Sequence, residues 1–407
     1  MVRPESVPLK SDGRVRPLRL LVIAHSLEHG GAEHSLRLLL EHLDRGAFDC
    51  LLAAPDGPMR ALYLGRCRLV VTLQRGYLPL TFHLFAYLRA FYVTVVNTVT
   101  LCRYLRREPA DVVLTNTGVA LHGPLAAAIC GIPGVTMMRE IVSPSIVRSA
   151  VSSLLLWLNR RVLVNSRAIV SAIGGKISKK LLVVHGGVER DGDRSARAAG
   201  VIPALRSGGP VIGNIGTVHP IKGHVAFLKM AALVAQRIPE ARFVIAGHYD
   251  ARSRYYRRLV RLRRRLALDE RVVFTGFVDP IAPLVERLAV LVITSTTESF
   301  PRIALEAMAA GRPVAAFDIG GVSELVQDGV TGRLIQYGDV DAMAEAVCRL
   351  IAEPVEAARL GAGGRARVDR SFQLASYVSQ VESVLREVAG QGHETRKEPD
   401  EMRAVRS

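Results

Sequence analysis

The sequence predicts an α/β chain of two doubly wound, Rossmann-like domains. Three observations carry that expectation: short apolar runs alternate with helix-like segments, the alternation occurs twice, and a polar, glycine-rich stretch separates the two series. With 407 residues, 49% of them hydrophobic, the chain is long enough for two sizeable cores.

In the first series, residues 18–24, 49–54, 111–115, 135–138 and 161–165 read as buried parallel strands, with helices over 33–43 and around 125–129. Residues 1–190 are therefore expected to form one domain. Residues 186–208 are polar and lack a period, which places a linker at 191–208. The second series has strands at 211–215, 242–246, 272–275, 290–294, 313–316 and 333–335, giving a second domain over 209–373. A last helix is expected within 374–390, and the polar residues 391–407 are expected to be disordered.

Ligands of such sheets bind at the carboxyl ends of the strands, in the cleft the domains form. The candidate residues fall there. Gly216 and Lys222 follow the 211–215 strand, Gly247 follows 242–246, and Gly276-Phe277 follow 272–275. Glu298 follows 290–294, and Gly320-Gly321 follow 313–316. In the first domain Gly30-Gly31 precede the first helix, and Arg139-Glu140 end the 135–138 strand. Each has a bland alternative: glycine pairs make turns, and Arg139-Glu140 would serve as a surface ion pair.

The segment Glu298-Ser-Phe300-Pro301-Arg302-Ile303-Ala-Leu-Glu306 sets two carboxylates around a helix start. Pro301 suits the first helical position, with Ser299 or Phe300 as cap, and Gly311-Arg-Pro313 ends the helix. Glu306 then lies roughly 7 to 8 Å along the axis from Pro301. The free amides and positive dipole end between the two acids suit a phosphate. Arg302 opposes that dipole, a placement that makes sense beside a bound anion.

This segment resembles the E-x7-E signature of retaining glycosyltransferases of family 4, which have the GT-B fold. Gly216-Thr-Val-His-Pro-Ile-Lys222-Gly223 is similar to the family's glycine and lysine-glycine element, and Gly320-Gly321-Val-Ser-Glu324 to its glycine-rich loop. The resemblance implies a nucleoside-diphosphate-sugar donor (UDP- or GDP-linked), held by Glu298, Glu306, Lys222, the Phe300 to Ile303 helix start and the glycines. Gly276 and Phe277 would lie beside the base. It further implies transfer with retained anomeric configuration, with Lys222 stabilising the leaving phosphate and Glu298 orienting sugar hydroxyls, and a last helix that crosses back to the first domain. Arg139-Glu140 stands where many members carry a histidine, and Thr217 where the family often carries arginine. Arg139 and Glu140 are assigned to the acceptor side.

No cofactor and no metal are expected. The eleven histidines form no H-x3-H pair on a helix, the five cysteines no C-x-x-C pair, and Asp339-Val-Asp341 reads as a helix cap. Scattered cysteines and the lack of a secretory h-region point to the cytoplasm.

A net charge of +17 requires an anionic partner. Arg252 to Arg265 contains eight arginines and no acid, a helix with a broad cationic surface suited to peripheral contact with anionic lipid at the inner face of a membrane. Residues 78–102 are long enough to span a bilayer but carry Arg89 near their centre. A buried helix pair and a membrane-facing surface helix are the alternatives. Together these features favour a lipid-linked or membrane-surface glycan acceptor. A GT-B epimerase or phosphorylase remains a rival. A nucleic-acid-binding protein is disfavoured for want of a reading module, and an oxidoreductase because Gly213-Asn-Ile-Gly216 does not complete G-x-G-x-x-G.

Overall fold

A computed structural model describes residues 16–76, 84–141, 145–174, 178–189 and 208–404. Most of the expected linker, Asp191-Gly-Asp193 within it, and the first residues of the 78–102 segment lie outside the described residues. The chain divides into two compact units, Met1–His185 with Ala375–Ser407, and Gly186–Leu374.

Unit 1 runs β1 (Leu18–Ile23), α1 (Gly31–His42), β2 (Phe48–Ala54), α2 (Arg60–Leu64), β3 (Arg68–Thr72), α3 (Leu84–Arg107), β4 (Val112–Thr115), α4 (His122–Ile129), β5 (Gly134–Met138), α5 (Ser145–Leu158), β6 (Arg161–Val164), α6 (Arg167–Ala172) and β7 (Leu181–Val183). Its seven strands form a parallel sheet in the order β3-β2-β1-β4-β5-β6-β7. The order reverses between β1 and β4, so their carboxyl ends diverge into a crevice.

Unit 2 runs β8 (Val211–Ile215), α7 (His224–Arg237), β9 (Arg242–Ala246), α8 (Arg254–Arg265), β10 (Val272–Gly276), α9 (Ala282–Arg287), β11 (Val290–Ile293), α10 (Arg302–Ala309), β12 (Val314–Phe317), β13 (Gly332–Ile335), α11 (Val340–Ala352) and α12 (Pro354–Ser371). Its parallel sheet has the order β10-β9-β8-β11-β12-β13, with the reversal between β8 and β11. Both faces are covered, which is why β11 reads as an unbroken apolar run. In β9, Phe243 and Ile245 enter one core cluster while Val244 and Ala246 enter the other. The period of two divides one strand between two layers.

Three expectations need correction. Helix α1 begins at Gly31, with Gly30 as its extended N-cap, two residues before the expected Glu33. Pro301 is the N-cap of α10, not its first residue, with ψ near 102°. The last helix, α13 (Leu374–Ala404), runs past the point where a disordered tail was expected; apart from Pro399, residues 394–404 are mostly good helix formers. Its residues from Ala375 belong to unit 1, where Glu382 Oε1 accepts from Asp44 N at 2.8 Å and Arg386 lies over the Phe48 ring at 5.1 Å.

Candidate active site

The reversal of strand order in unit 2 decides which side chains meet. Lys222 follows β8 and Glu298 follows β11, the two strands that flank the reversal. Backbone pairing between them ends at Leu291 and Gly213. Beyond it, Asn214 Nδ2 donates to Val292 O at 3.0 Å and Thr294 Oγ1 at 3.3 Å. A buried amide side chain thus joins the strands where the ladder stops, and the loops after them are held in fixed places.

The first loop makes a 3₁₀ turn over Pro220–Lys222, anchored by Thr296 N donating to Ile221 O at 2.8 Å. Lys222 Nζ reaches Glu298 Oε1 at 2.6 Å, and Ser295 Oγ donates to the same oxygen at 2.7 Å. Glu298 is buried to all but 9% of its surface, while the Lys222 side chain keeps 31%. A buried carboxylate with a charged and a neutral donor is well compensated.

Gly223, at φ +66°, lies so close to the strand end that a Cβ would overlap the Thr294 carbonyl oxygen. The stem of Lys222 packs over Gly216. Gly247 approaches the Gly216 carbonyl with no room for a Cβ, and its N–H donates to Gly276 O at 2.8 Å. Gly320, at φ +49°, crowds the Glu298 carbonyl, which accepts from Gly321 N at 2.9 Å. The missing side chain at Gly320 thus admits the Glu298 backbone.

At α10 the first turn has no side-chain cap. Arg302 Nε meets Glu306 Oε1 at 3.0 Å and Nη1 donates to Gly187 O at 3.3 Å. The cation at the wrong helix end is thus offset by a carboxylate one turn on. Phe300 is a core residue, edge to face with Phe372 at 5.8 Å, and Ile303 packs partly against the same cluster. Pro301 is buried, and Phe277 is exposed beside Gly276. Both acids of the E-x7-E pair are therefore matched to a cation, Glu298 with Lys222 and Glu306 with Arg302.

Arg139 and Glu140 lie on unit 1. Glu140 accepts from Thr117 Oγ1 at 2.7 Å and from Arg139 N at 3.2 Å, while Arg139 Nη2 donates to the Tyr377 hydroxyl at 3.0 Å. Burial pushes the Glu140 carboxyl up. The reversal between β1 and β4 gathers further groups that sequence reading assigns no role. Glu33 folds back over Gly30, His25 Nε2 is 3.6 Å from Glu33 Oε1, and Asn116 Nδ2 donates to Ala32 O at 3.2 Å. Burial raises Glu33 to about 7 and lowers His25 and His122 to about 4. Asp339 caps α11 through Oδ1, which accepts from Ala342 N at 2.9 Å. Among the described residues, no group of three or more His, Cys, Asp or Glu is placed to hold a metal.

Residues 209–353 match the family described as Glycosyl transferases group 1. The D-inositol 3-phosphate glycosyltransferase of Mycolicibacterium paratuberculosis is 36% identical over 184 residues, covering 43% of this chain and 40% of that protein. That of Mycobacterium bovis (strain BCG / Pasteur 1173P2) is 33% identical over 221 residues, covering 51% of this chain and 43% of its own length. The chain thus aligns with about two fifths of the relatives it matches.

The crystal structure of Anabaena Alr3699/HepE in complex with UDP and glucose superposes with a TM-score of 0.76 at 23% identity, covering 91% of this chain and 99% of that one. Sucrose-phosphate synthase from Thermosynechococcus elongatus superposes at 0.77, again with 23% identity, over 92% and 100%. The chain therefore has the GT-B fold, and residues 209–353 of its unit 2 are similar to the Glycosyl transferases group 1 family.

Proposed function

We propose that this protein is a retaining glycosyltransferase that moves a sugar from a UDP- or GDP-linked donor to a hydroxyl acceptor. The observation that carries the reading is the Lys222–Glu298 pair at the strand reversal of the matched domain, beside the uncapped start of α10. Both protein donors to Glu298 fall on Oε1. Oε2 is left for a sugar hydroxyl, and the ammonium of Lys222 keeps further N–H donors for a phosphate oxygen. Negative charge developing on the departing diphosphate would be met by Lys222 and the first amides of α10. Glu306 would take ribose hydroxyls.

Retention is proposed from the resemblance of this segment to the E-x7-E signature. No separate covalent nucleophile is assigned, so the leaving phosphate oxygen would accept the acceptor proton on the same face. UDP is the first nucleotide to test, because HepE was crystallised with UDP and with UDP-glucose. The acceptor is proposed to be a lipid-linked or membrane-surface glycan, reached by a cytoplasmic protein at the inner face of the membrane. The exposed arginines 252, 254, 257, 258, 261, 264 and 265 on and beside α8 support an anionic surface as neighbour.

A thermal-shift screen of UDP- and GDP-sugars tests the donor. Stabilisation by none of them would overturn the reading. With the active donor, Lys222→Ala and Glu298→Ala should each lower transfer at least about tenfold in folded protein. Because the two side chains share one contact, the double variant should lose much less than the product of the single losses. Wild-type rates in both single variants would sink the assignment, and conversion of donor without acceptor would identify an epimerase instead.

A further inference from the structure

Helix α3 presents two unlike faces. Ala90, Val93, Asn97, Leu101 and Leu105 are buried, spaced as one helical stripe. Asn97 fixes that stripe: its Oδ1 accepts from Gln74 N at 2.9 Å and its Nδ2 donates to Gln74 O at 3.0 Å. Leu101 and Leu105 belong to the same core as Leu21 and Ile23 of β1. The helix is long and apolar enough to cross a membrane by composition. A helix sharing a core with a sheet cannot also be surrounded by lipid, so spanning is ruled out.

The outward face is apolar over its first four turns. Phe85, Leu88, Phe91, Tyr92, Val95 and Val99 are 85%, 56%, 71%, 60%, 45% and 44% exposed. Monomeric proteins rarely leave so continuous an apolar surface to water. Beyond Val99 the exposed residues are Arg103, Arg106 and Arg107, with Arg89 among the apolar turns. The helix contains no acid.

We infer that α3 docks in the plane of an anionic lipid bilayer. Its aromatic and aliphatic turns enter the boundary between headgroups and acyl chains, while Arg89 and the terminal arginines meet lipid phosphates. Charge argues for lipid over a second copy of the chain. Packing α3 on its own image would bring arginines to a helix that has no carboxylate to receive them.

The inference deepens the proposed membrane acceptor by naming the contact surface, but it is read by lipid binding alone and stands or falls without the donor. The full chain is incubated with vesicles of phosphatidylcholine containing phosphatidylglycerol, and separately with phosphatidylcholine alone, then sedimented. Wild-type protein should partition onto the anionic vesicles. Phe91→Ser combined with Tyr92→Ser should lower that partition at least about tenfold, with melting temperature and donor-induced thermal shift unchanged. Arg103→Gln with Arg106→Gln should narrow the preference for phosphatidylglycerol.

Three results would overturn the inference. One is wild-type protein that stays off both vesicles. Another is equal partition of the Phe91/Tyr92 variant, which would assign lipid binding to α8. The third is a lipid-free dimer that the same variant turns into a monomer, which would assign the face to a second copy.

Discussion

The two sheets reverse their strand order in the same way, yet the groups gathered at the two reversals differ in electrical character. In unit 2 the two acids of the E-x7-E segment are each matched by a cation, Lys222 with Glu298 and Arg302 with Glu306, while burial lowers the neighbouring His224 to about 4. In unit 1 burial works against charge: it raises Glu33 and Glu140 and depresses His25 and His122. One edge holds formed ion pairs. The other holds groups that burial drives toward their neutral forms, among them a carboxyl that titrates near neutral pH. A common architecture thus supplies two chemistries, because the strand ends fix where side chains meet and the sequence fixes which ones do.

The largest way to break this contrast is to deform the backbone that brings Lys222 to Glu298. Gly223 has φ +66° and no space for a Cβ against Thr294 O. Gly223→Ala should destabilise unit 2 by roughly 4 kcal/mol, combining a left-handed backbone penalty of about 1–2 kcal/mol with overpacking of about 1–3 kcal/mol. Chemical denaturation followed by hydrogen exchange would locate the loss in residues 211–317. Wild-type stability would mean that the close approach is not required.

Unit 1 should reveal itself through pH. Glu33 rises from 4.5 to about 7 on folding, so the folded state holds its proton where the unfolded chain has released it. Its stabilising contribution is complete below pH 4.5, declines as pH rises to about 7, and is absent above that, a difference of about 3 kcal/mol. Histidines 25 and 122 act in the opposite direction: depressed from 6.5 to about 4, they contribute above pH 6.5 and lose that contribution as pH falls. Glu33→Gln should therefore raise the melting temperature at pH 8 and change it little at pH 4.5. An equal shift at both pH values would show that Glu33 does not titrate in this way.

The fold was more legible than the site because apolar runs are local and pairings are not. Strands β8 and β9 lie at Val211–Ile215 and Arg242–Ala246, the ranges expected from the alternation of short strand-like and helix-like segments. Edge strands β3 and β7 are not among the expected strands, although each carries a short apolar run, Leu69-Val-Val71 and Leu181-Leu-Val-Val184. Lys222 and Glu298 were visible as separate candidates. Their contact was not, since it spans 76 residues and depends on which strands flank the reversal. The burial of Glu33 was hidden for a related reason: a carboxyl in a first helical turn ordinarily faces water, whereas here it folds back over Gly30 and lies near His25 at the end of β1.

Ser295 gives the smallest and most discriminating test. Its spacing from Glu298, S-x-x-E, resembles a helix-capping pattern, but the two residues occupy a loop and the hydroxyl donates to the carboxylate at 2.7 Å. Removing that donor leaves Lys222 to hold Glu298 alone. Ser295→Ala should cost about 1 kcal/mol of positioning, read as roughly a fivefold fall in kcat/KM for transfer, with the protein folded. Ser295→Thr should recover part of the loss by restoring a hydroxyl. If Ser295 acts only through Glu298, the alanine substitution should have no further effect in a Glu298→Ala background. A fivefold loss persisting in that background would place Ser295 in an independent role and break the one-acid, one-cation account of the unit 2 edge.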